Sequence, residues 1–563
     1  MTKLIECVPN ISEGRNMQKI ETIAKVVETV PGVKLLDIDP GAATNRTVIT
    51  FVGEPEPVIE AAFLLIKKAS EIIDMSQHTG EHPRFGATDV CPLVPVANIT
   101  MEELVPYAHK LAKRVGNELD IPVYCYENAA QEPKRKNLAN CRQGEYEGLP
   151  KKLVDPAWKP DFGPAAFTDQ VKKTGATAIS ARDFLVAYNI NLNTTSTRRA
   201  NAIAFDIREA GRVQTENNKP DGKPVLDDKG EPIRIPGKLK AVKGIGWFIE
   251  EYGIAQISYN LTNISITPVH IAFDETVKAA TERGLRVTGS ELVGLIPKQA
   301  MLDAADYFLA KQERSLGISE SEKIKIAVKS LGLDDLKPFN PKEKIIEYML
   351  SDESNHPLIN MKLSDFADET ASESPAPGGG SIAAYVGTLG VALGTMVANL
   401  SAHKRGWDDK WEYYSNWAQT GQKYQQQLLH MVDADTAAFN KIMEAFRLPK
   451  GTAEEMATRK DAINIATKGA INTPLAVMDA AYNSMEVMEE MAKTGLKASI
   501  SDAGVGAMCA LTAVKGAFLN VRINCAGFDD EAFVKQALDK AEGIMKKAAE
   551  KEASIMELVM NKL

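Results

Sequence analysis

Along the first third of the chain, short apolar runs alternate with longer segments whose apolar positions recur every three to four residues. The runs at 4–8, 33–39, 46–52, 90–96 and 122–126 predict strands, and the segments 17–30, 57–73 and 101–119 predict one-sided helices. A second block of the same rhythm begins near Phe184: a strand at 184–193, a helix at 195–211, strands within 242–266 and a helix at 274–285. Both blocks run strand, helix, strand, strand, helix, strand. That order fits two ferredoxin-like subdomains forming an N-terminal α/β sandwich. Within the second block, 213–238 is rich in Pro, Gly and charge and predicts an excursion with turns at Asp221-Gly222 and Lys229-Gly230.

Past residue 357 the alternating pattern disappears. Long alanine-rich segments of helical period, among them 411–446, 453–488 and 530–563, predict a C-terminal all-α helical bundle. The domain plan is therefore 1–181 and 182–349 for the two α/β subdomains, 350–357 for a linker and 358–563 for the bundle. The run 382–401 carries no charge and is long enough to span a bilayer, but it is rich in Gly, Ala and Thr and lacks basic flanks. A buried core helix is expected there, and no membrane span.

Composition narrows the function. A formal net charge of −9 gives no general attraction to nucleic acid or anionic membranes, so a polyanionic ligand needs a local basic pocket. The six cysteines are scattered without a CxxC, as buried free thiols in a reducing compartment would be. The N-terminus shows no apolar signal-peptide core, and a cytoplasmic location is expected.

The densest polar cluster is HTGEHPRFGATDV at 78–90, with His78, Glu81, His82, Arg84 and Asp89 in a loop broken by Gly80, Pro83 and Gly86. Those breaks remove the helical face that lets histidines at i, i+4 share a metal, so none is expected. A histidine acid/base beside an arginine for a carboxylate fits the residues, as does a histidine that only caps the loop. Asn10, Glu13, Asp39 and Arg46 sit at strand ends, where turn, cap and ligand roles all remain open.

In the second half, SPAPGGGS (374–381) precedes the apolar helix. Its glycines allow backbone N–H groups to approach an anion or a flat ligand; the alternative is a hinge with Ser381 as N-cap. In VDADTAAF (432–439) two aspartates at i, i+2 point in different directions, so that one can be solvated while the other faces a pocket. Asp502, Asn520, Arg522 and Asn524 interrupt apolar helix, either to orient a heterocycle or to make polar contacts between subunits.

Taken in order and spacing, CVPNISEG, TNRTVITFVG, IDMSQHTGEHPRFGATDVCPLVPV, LPKKL, PDFGP, FLVAYNINL, VKGIGWF and LVGLIP resemble the formiminotransferase domain. APGGGS, VDADTAAF and the closing helices resemble its cyclodeaminase partner. The resemblance implies transfer of the formimino group from N-formimino-L-glutamate to tetrahydrofolate, a co-substrate expected to be polyglutamylated, then cyclisation to 5,10-methenyltetrahydrofolate with release of ammonia. It assigns catalysis to His82 and Asp435. It places folate contacts at Gly163, Pro164, Ala165, Ala166, Phe167 and Gly175, and at Gly237, Lys238 and Leu239.

Arg46 and Arg84 are candidates for substrate carboxylates, and Gly378, Gly379 and Gly380 for the pterin or its tail, on chemical grounds. A homo-oligomer, a ring of dimers, is implied, and the GxxxG from Gly390 to Gly394 and the heptad-like last helix also point to self-association. Lys134, Arg135, Lys136, Lys404 and Arg405 either guide a folate tail or form solvated surface. Two departures from the family are an insertion at 168–174 and a long 213–238 segment. Two other readings stay open: a transferase whose helical domain only binds folate and oligomerises, and a non-enzymatic folate-binding scaffold.

Overall fold

A computed structural model describes residues 3–41, 45–80, 83–219, 222–350 and 357–563. The expected linker at 350–357 falls almost wholly outside them. The chain forms two compact units, Met1–Ala300 with Leu331–Leu350, and Met301–Ser330 with Ser351–Leu563.

The first unit opens with β1 (Leu4–Cys7) and β2 (Asn10–Ile11), followed by α1 (Met17–Ala24), β3 (Val33–Gly41), β4 (Arg46–Gly53), α2 (Pro55–Ile72) and β5 (Thr88–Ala97). β1 and β2 act as one interrupted strand, antiparallel to both β4 and β5, while β3 pairs with β4. This is the ferredoxin-like order the alternation predicts. α3 (Met101–Glu118) leads to β6 (Val123–Glu127), and α4 (Leu138–Arg142), α5 (Glu145–Lys152) and α6 (Asp169–Thr174) lead to β7 (Thr177–Ala181). β7 inserts parallel between β5 and β6. The sequence pattern missed it because TAISA is short and carries a single large apolar residue, Ile179. One face of the sheet, with Ile5, Cys7, Ile49, Phe51, Cys91 and Leu93, packs on the apolar stripes of α2 and α3.

The second subdomain contains β8 (Val186–Leu192), α7 (Thr197–Ile207), the short β9 (Arg212–Val213) and β10 (Arg234–Ile235), then β11 (Val242–Ile249), β12 (Ile254–Leu261), α8 (Val269–Thr281) and β13 (Val287–Val293). Its sheet runs β11-β12-β8-β13, antiparallel throughout, again ferredoxin-like. The excursion is folded: β10 pairs with β9, and the Lys229-Gly230 turn forms with Gly230 at φ +80°. Asp221 lies outside the described residues. α9 (Lys298–Lys311), α10 (Glu320–Leu331), α11 (Pro341–Lys344) and α12 (Ile346–Leu350) follow.

The second unit is helical: besides most of α9 and α10 it holds α13 (Leu363–Thr370), α14 (Gly379–Ala402), α15 (Trp411–Arg447), α16 (Ala453–Thr494), α17 (Ile500–Cys525) and α18 (Glu531–Met560). A capping box between Thr452 and Glu455 starts α16. By length and composition α14 and the Lys497–Cys525 segment could each cross a membrane, but Val391, Ala398, Ala513 and Val514 are fully buried in the bundle core. The Gly390–Gly394 pair is used inside the bundle: a Cβ on Gly390 would lie 2.8 Å from the Gly506 carbonyl of α17, and one on Gly394 2.9 Å from the sulfur of Met488. α18 likewise buries Ala537, Ala541, Ile544, Ala548, Ile555 and Val559, a heptad-like series that packs against α16 and α17.

Candidate functional site

Period-two alternation decides what the first sheet shows on its far side. Because Ile5 and Cys7 point into the core, Glu6 and Val8 must face the other way, with Asn10, Arg46 and Thr50. Ala187 of β8 and Val293 of β13 close this face into a cavity of about 380 Å³. α7 and α8 occupy the opposite side of the second sheet, where Tyr259 meets Thr276 of α8 at 3.0 Å.

Two guanidinium groups stand in the cavity wall on a single carboxylate. Asp89, fully buried, takes Arg46 Nη1 at 3.4 Å and also Arg142 on Oδ2, while its Oδ1 accepts the Phe85 N–H at 3.1 Å. Arg46 Nε and Nη2 donate to Asn10 Oδ1 at 2.9 and 2.6 Å. This framework holds Arg46 in one rotamer, positive and facing the cavity, as grip on a substrate carboxylate requires. Glu6 is 4% exposed; burial raises its carboxyl to about 7, offset only in part by Arg182. Burial and Asp39 also raise Asp37.

The 78–90 loop forms a separate hollow of about 480 Å³ around Thr79, Gly80, Arg84 and Glu147. His78 Nε2 lies 2.9 Å from the Asn45 carbonyl, and its Nδ1 accepts from Arg84 Nε at 3.3 Å. Burial lowers the His78 pKa, so the ring is neutral and its nitrogens are committed to the loop. Arg84 donates to both Glu147 oxygens at 2.9 and 2.7 Å and to Glu145 at 3.2 Å. Arg46 and Arg84 are therefore not one clamp: the former lines the cavity between the sheets, the latter the loop hollow. Glu81 and His82 lie outside the described residues.

The first expected folate segment borders this loop. Gly163, at φ +84°, could not carry a Cβ, which would sit 2.3 Å from the Ile121 carbonyl oxygen. Ala165 and Ala166 are exposed, Pro164 is half-buried, and the Phe167 ring is 6.2 Å from that of Tyr146. Gly175, at φ +66°, abuts Phe85 and bridges to Gly86. The insertion between Phe167 and Gly175 is the helix α6, capped by Thr168. The second segment lies elsewhere. The N–H groups of Lys238 and Leu239 donate to the carbonyls of Asp206 and Ile207 at 2.8 and 3.0 Å, and Gly237 packs on Arg208. That is the α7 side of the second sheet, away from the cavity.

Arg135 is neither solvated nor open to a ligand: it is 2% exposed and paired with Asp161. Lys404 lies over the Trp407 ring at 4.3 Å.

In the helical unit the two aspartates of VDAD diverge as their spacing predicts, but neither is solvated: Asp433 is buried and Asp435 half-buried. Asp433 accepts the N–H groups of Leu358 and Ile359 at 2.9 and 3.4 Å. Asp435 turns to the glycine turn that opens α14, with its Oδ2 3.4 Å from Ser381 Oγ, and burial raises its pKa against the Ser381 hydrogen bonds. Gly378, rather than Ser381, is the N-cap; Ser381 lies inside the first turn and donates to the Val432 carbonyl at 2.8 Å. A Cβ on Gly379 would approach the Asn520 amide at 3.5 Å. A carboxylate, a glycine turn and an amide thus meet at one helix N-terminus, whose N–H groups favour an anion. Asn524 instead holds the Ala470 carbonyl at 2.8 Å, Asp502 is half-buried and Arg522 is exposed. A hollow of about 840 Å³ between α15 and α16 opens on the Asp433 side. No group of three potential metal ligands occurs among the described residues.

Sequence reasoning missed Glu6 and Arg142, and offered Ser381 only as an N-cap. The charge at alternate position in LIEC could have marked Glu6; nothing local marks Arg142, which reaches Asp89 across 53 positions.

Three family models match the chain: the formiminotransferase domain, N-terminal subdomain, over 4–182; the formiminotransferase domain over 187–351; and formiminotransferase-cyclodeaminase over 362–543. A formimidoyltransferase-cyclodeaminase of Gallus gallus is 44% identical over 99% of each chain. A glutamate formimidoyltransferase of Streptococcus pyogenes serotype M1 is 41% identical over 56% of this chain and 95% of its own. A methenyltetrahydrofolate cyclohydrolase of Methylorubrum extorquens is 35% identical over 36% of this chain and 98% of its own.

Proposed function

The chain belongs to the formiminotransferase-cyclodeaminase family, and from that premise we propose two consecutive folate reactions with the residues assigned below. The first moves the formimino group of N-formimino-L-glutamate to N5 of tetrahydrofolate and releases glutamate. The second closes N10 onto the same carbon, giving 5,10-methenyltetrahydrofolate and ammonia. One observation carries the reading: a relative named for both activities aligns over 99% of each chain, so neither half lacks a counterpart.

In the first reaction N5 must lose a proton and the departing glutamate nitrogen must gain one. His82 is assigned that shuttle, work typically worth about 10²–10⁴-fold in rate. Arg46, fixed by Asn10 and Asp89, takes a substrate carboxylate. Arg84 shapes the loop through Glu147. In the second reaction the raised carboxyl of Asp435 carries a proton from N10 to the leaving amine. The turn at Gly378, Gly379 and Gly380 leaves room for the ligand beside it.

Transfer belongs to 1–349 and cyclodeamination to 358–563 in this assignment. The protein acts in the cytoplasm as a homo-oligomer on polyglutamylated folate. Exposed Leu389, Met396 and Leu400 on α14 and Val505, Leu519 and Ile523 on α17 support self-association.

The test adds formiminoglutamate and tetrahydrofolate to the full chain and follows methenyl absorbance and free ammonia. Both rising together is the expected result. Glutamate release without ammonia leaves a transferase with an idle helical unit, and no turnover overturns the assignment.

A further inference from the structure

The carboxyl of Glu6 stands in the cavity between the two sheets with no partner of its own. The residue is 4% exposed, and among the described residues its side chain takes part in no hydrogen bond or ion pair. Its same-face neighbours are apolar: Val52 of β4 and Val94 of β5 lie opposite it in register, and Val8 follows two positions on. Arg182 acts on it only through its field, and donates its own Nη1 to the Asp183 carbonyl at 3.0 Å. A buried carboxyl left unpaired costs stability, and an apolar or amide side chain would fold better there. What the carboxyl offers is a place for a cationic donor.

The cavity spreads its charges along the interrupted strand β1–β2. Arg46 is fixed at Asn10, four residues beyond Glu6, which is about 13 Å of extended chain. Asp37 and Asp39 of β3, the other lining carboxylates, are half-buried and exposed respectively. Tyr126 of β6, Arg142 of α4 and Arg182 complete the titratable and charged lining, and Arg142 is committed to Asp89. This span therefore presents a guanidinium at one end and a buried carboxyl at the other.

Formiminoglutamate carries the matching groups. Its carboxylates suit Arg46, and its formimino group is an amidine, protonated at neutral pH and ending in paired N–H donors like those of a guanidinium. Extended, with an ionic hydrogen bond at each end, the molecule covers a comparable span. A formyl group of the same shape has neither the charge nor the second donor. Resting on the transferase reading, we propose that Glu6 receives the protonated formimino group and selects it over neutral acyl groups, as the specificity-determining residue of the first reaction. Binding requires the carboxylate form. A proton therefore leaves Glu6 as substrate enters, and affinity falls as pH drops below about 7.

The test is calorimetric titration of the full chain, without folate so that no turnover intervenes, at about pH 6 and 8. The two ligands are formiminoglutamate and N-formylglutamate, its neutral isostere. Wild type should prefer formiminoglutamate about tenfold or more at the higher pH, and should lose about tenfold of that affinity at the lower, where Glu6 holds its proton. Glu6→Gln should abolish both the preference and its pH dependence, while N-formylglutamate binds at least as tightly as before; unchanged or higher thermal melting separates lost binding from lost fold. Asp37→Asn should keep both properties. A wild type without the preference, a Glu6→Gln form that retains it, or its loss in Asp37→Asn overturns the proposal. So does a Glu6→Gln defect that falls on the KM of tetrahydrofolate and spares formiminoglutamate. Absence of turnover in wild type would instead strike the transferase reading, whereas turnover with an unaltered preference in Glu6→Gln would strike only Glu6.

Discussion

The missing side chain of Gly380 and the carboxylate of Asp435 occupy the same space: a Cβ on that glycine would lie 2.2 Å from Asp435 Oδ1. Glycine is required there because the carboxylate stands directly over the first turn of α14. Gly380→Ala should displace Asp435 and lower cyclodeamination of supplied 5-formiminotetrahydrofolate by about 10²-fold, as a 1 Å misplacement can. Formimino transfer should be unaltered, and separate assays of the two half-reactions check this.

The neighbouring aspartates should part cleanly. Asp435→Asn removes the assigned proton carrier and should cost the second reaction about 10²–10⁴-fold with little change in stability. Asp433→Ala instead strands the Leu358 and Ile359 N–H groups, at a cost of about 1–3 kcal/mol in urea unfolding, and should leave deamination measurable. The reverse pattern would move the chemistry to Asp433.

In the first unit, Asp89→Asn should be severe. The fully buried carboxylate serves both Arg46 and Arg142, and its loss leaves two guanidinium groups without their counter-charge. Removing one partner of a buried pair costs about 3–5 kcal/mol. Chemical denaturation gives the loss, and the transferase KM for formiminoglutamate should rise as Arg46 loses its position.

Glu6 makes stability depend on pH. Its folded carboxyl titrates near 7 against an ordinary 4.5, so between those values the folded state holds the proton more tightly than the unfolded chain does. Stability therefore falls as pH rises from 4.5 through 7, by roughly 3 kcal/mol at about 1.4 kcal/mol per tenfold change in proton affinity. Glu6→Gln should remove that slope: little change at pH 4, and a gain of that order at pH 8. Parallel pH-dependent melts of both forms test it, and a slope that survives the substitution would assign it to another group.

Alternation and helical period alone specify both ferredoxin-like subdomains and the helical half, because each element must bury one face and its period says which. The motifs, read against the family, name both reactions, and the i, i+2 spacing of Asp433 and Asp435 already requires that they diverge. Long-range contact decided the rest. β7 is a strand because β5 and β6 supply its hydrogen bonds, not because TAISA has strong strand propensity. Gly390 and Gly394 seal helices within the bundle, where sequence alone equally allows a subunit contact. Arg84 went to Glu147 and Arg46 to Asp89 because a buried guanidinium takes the nearest carboxylate, and proximity across 63 and 43 positions is fixed only by folding.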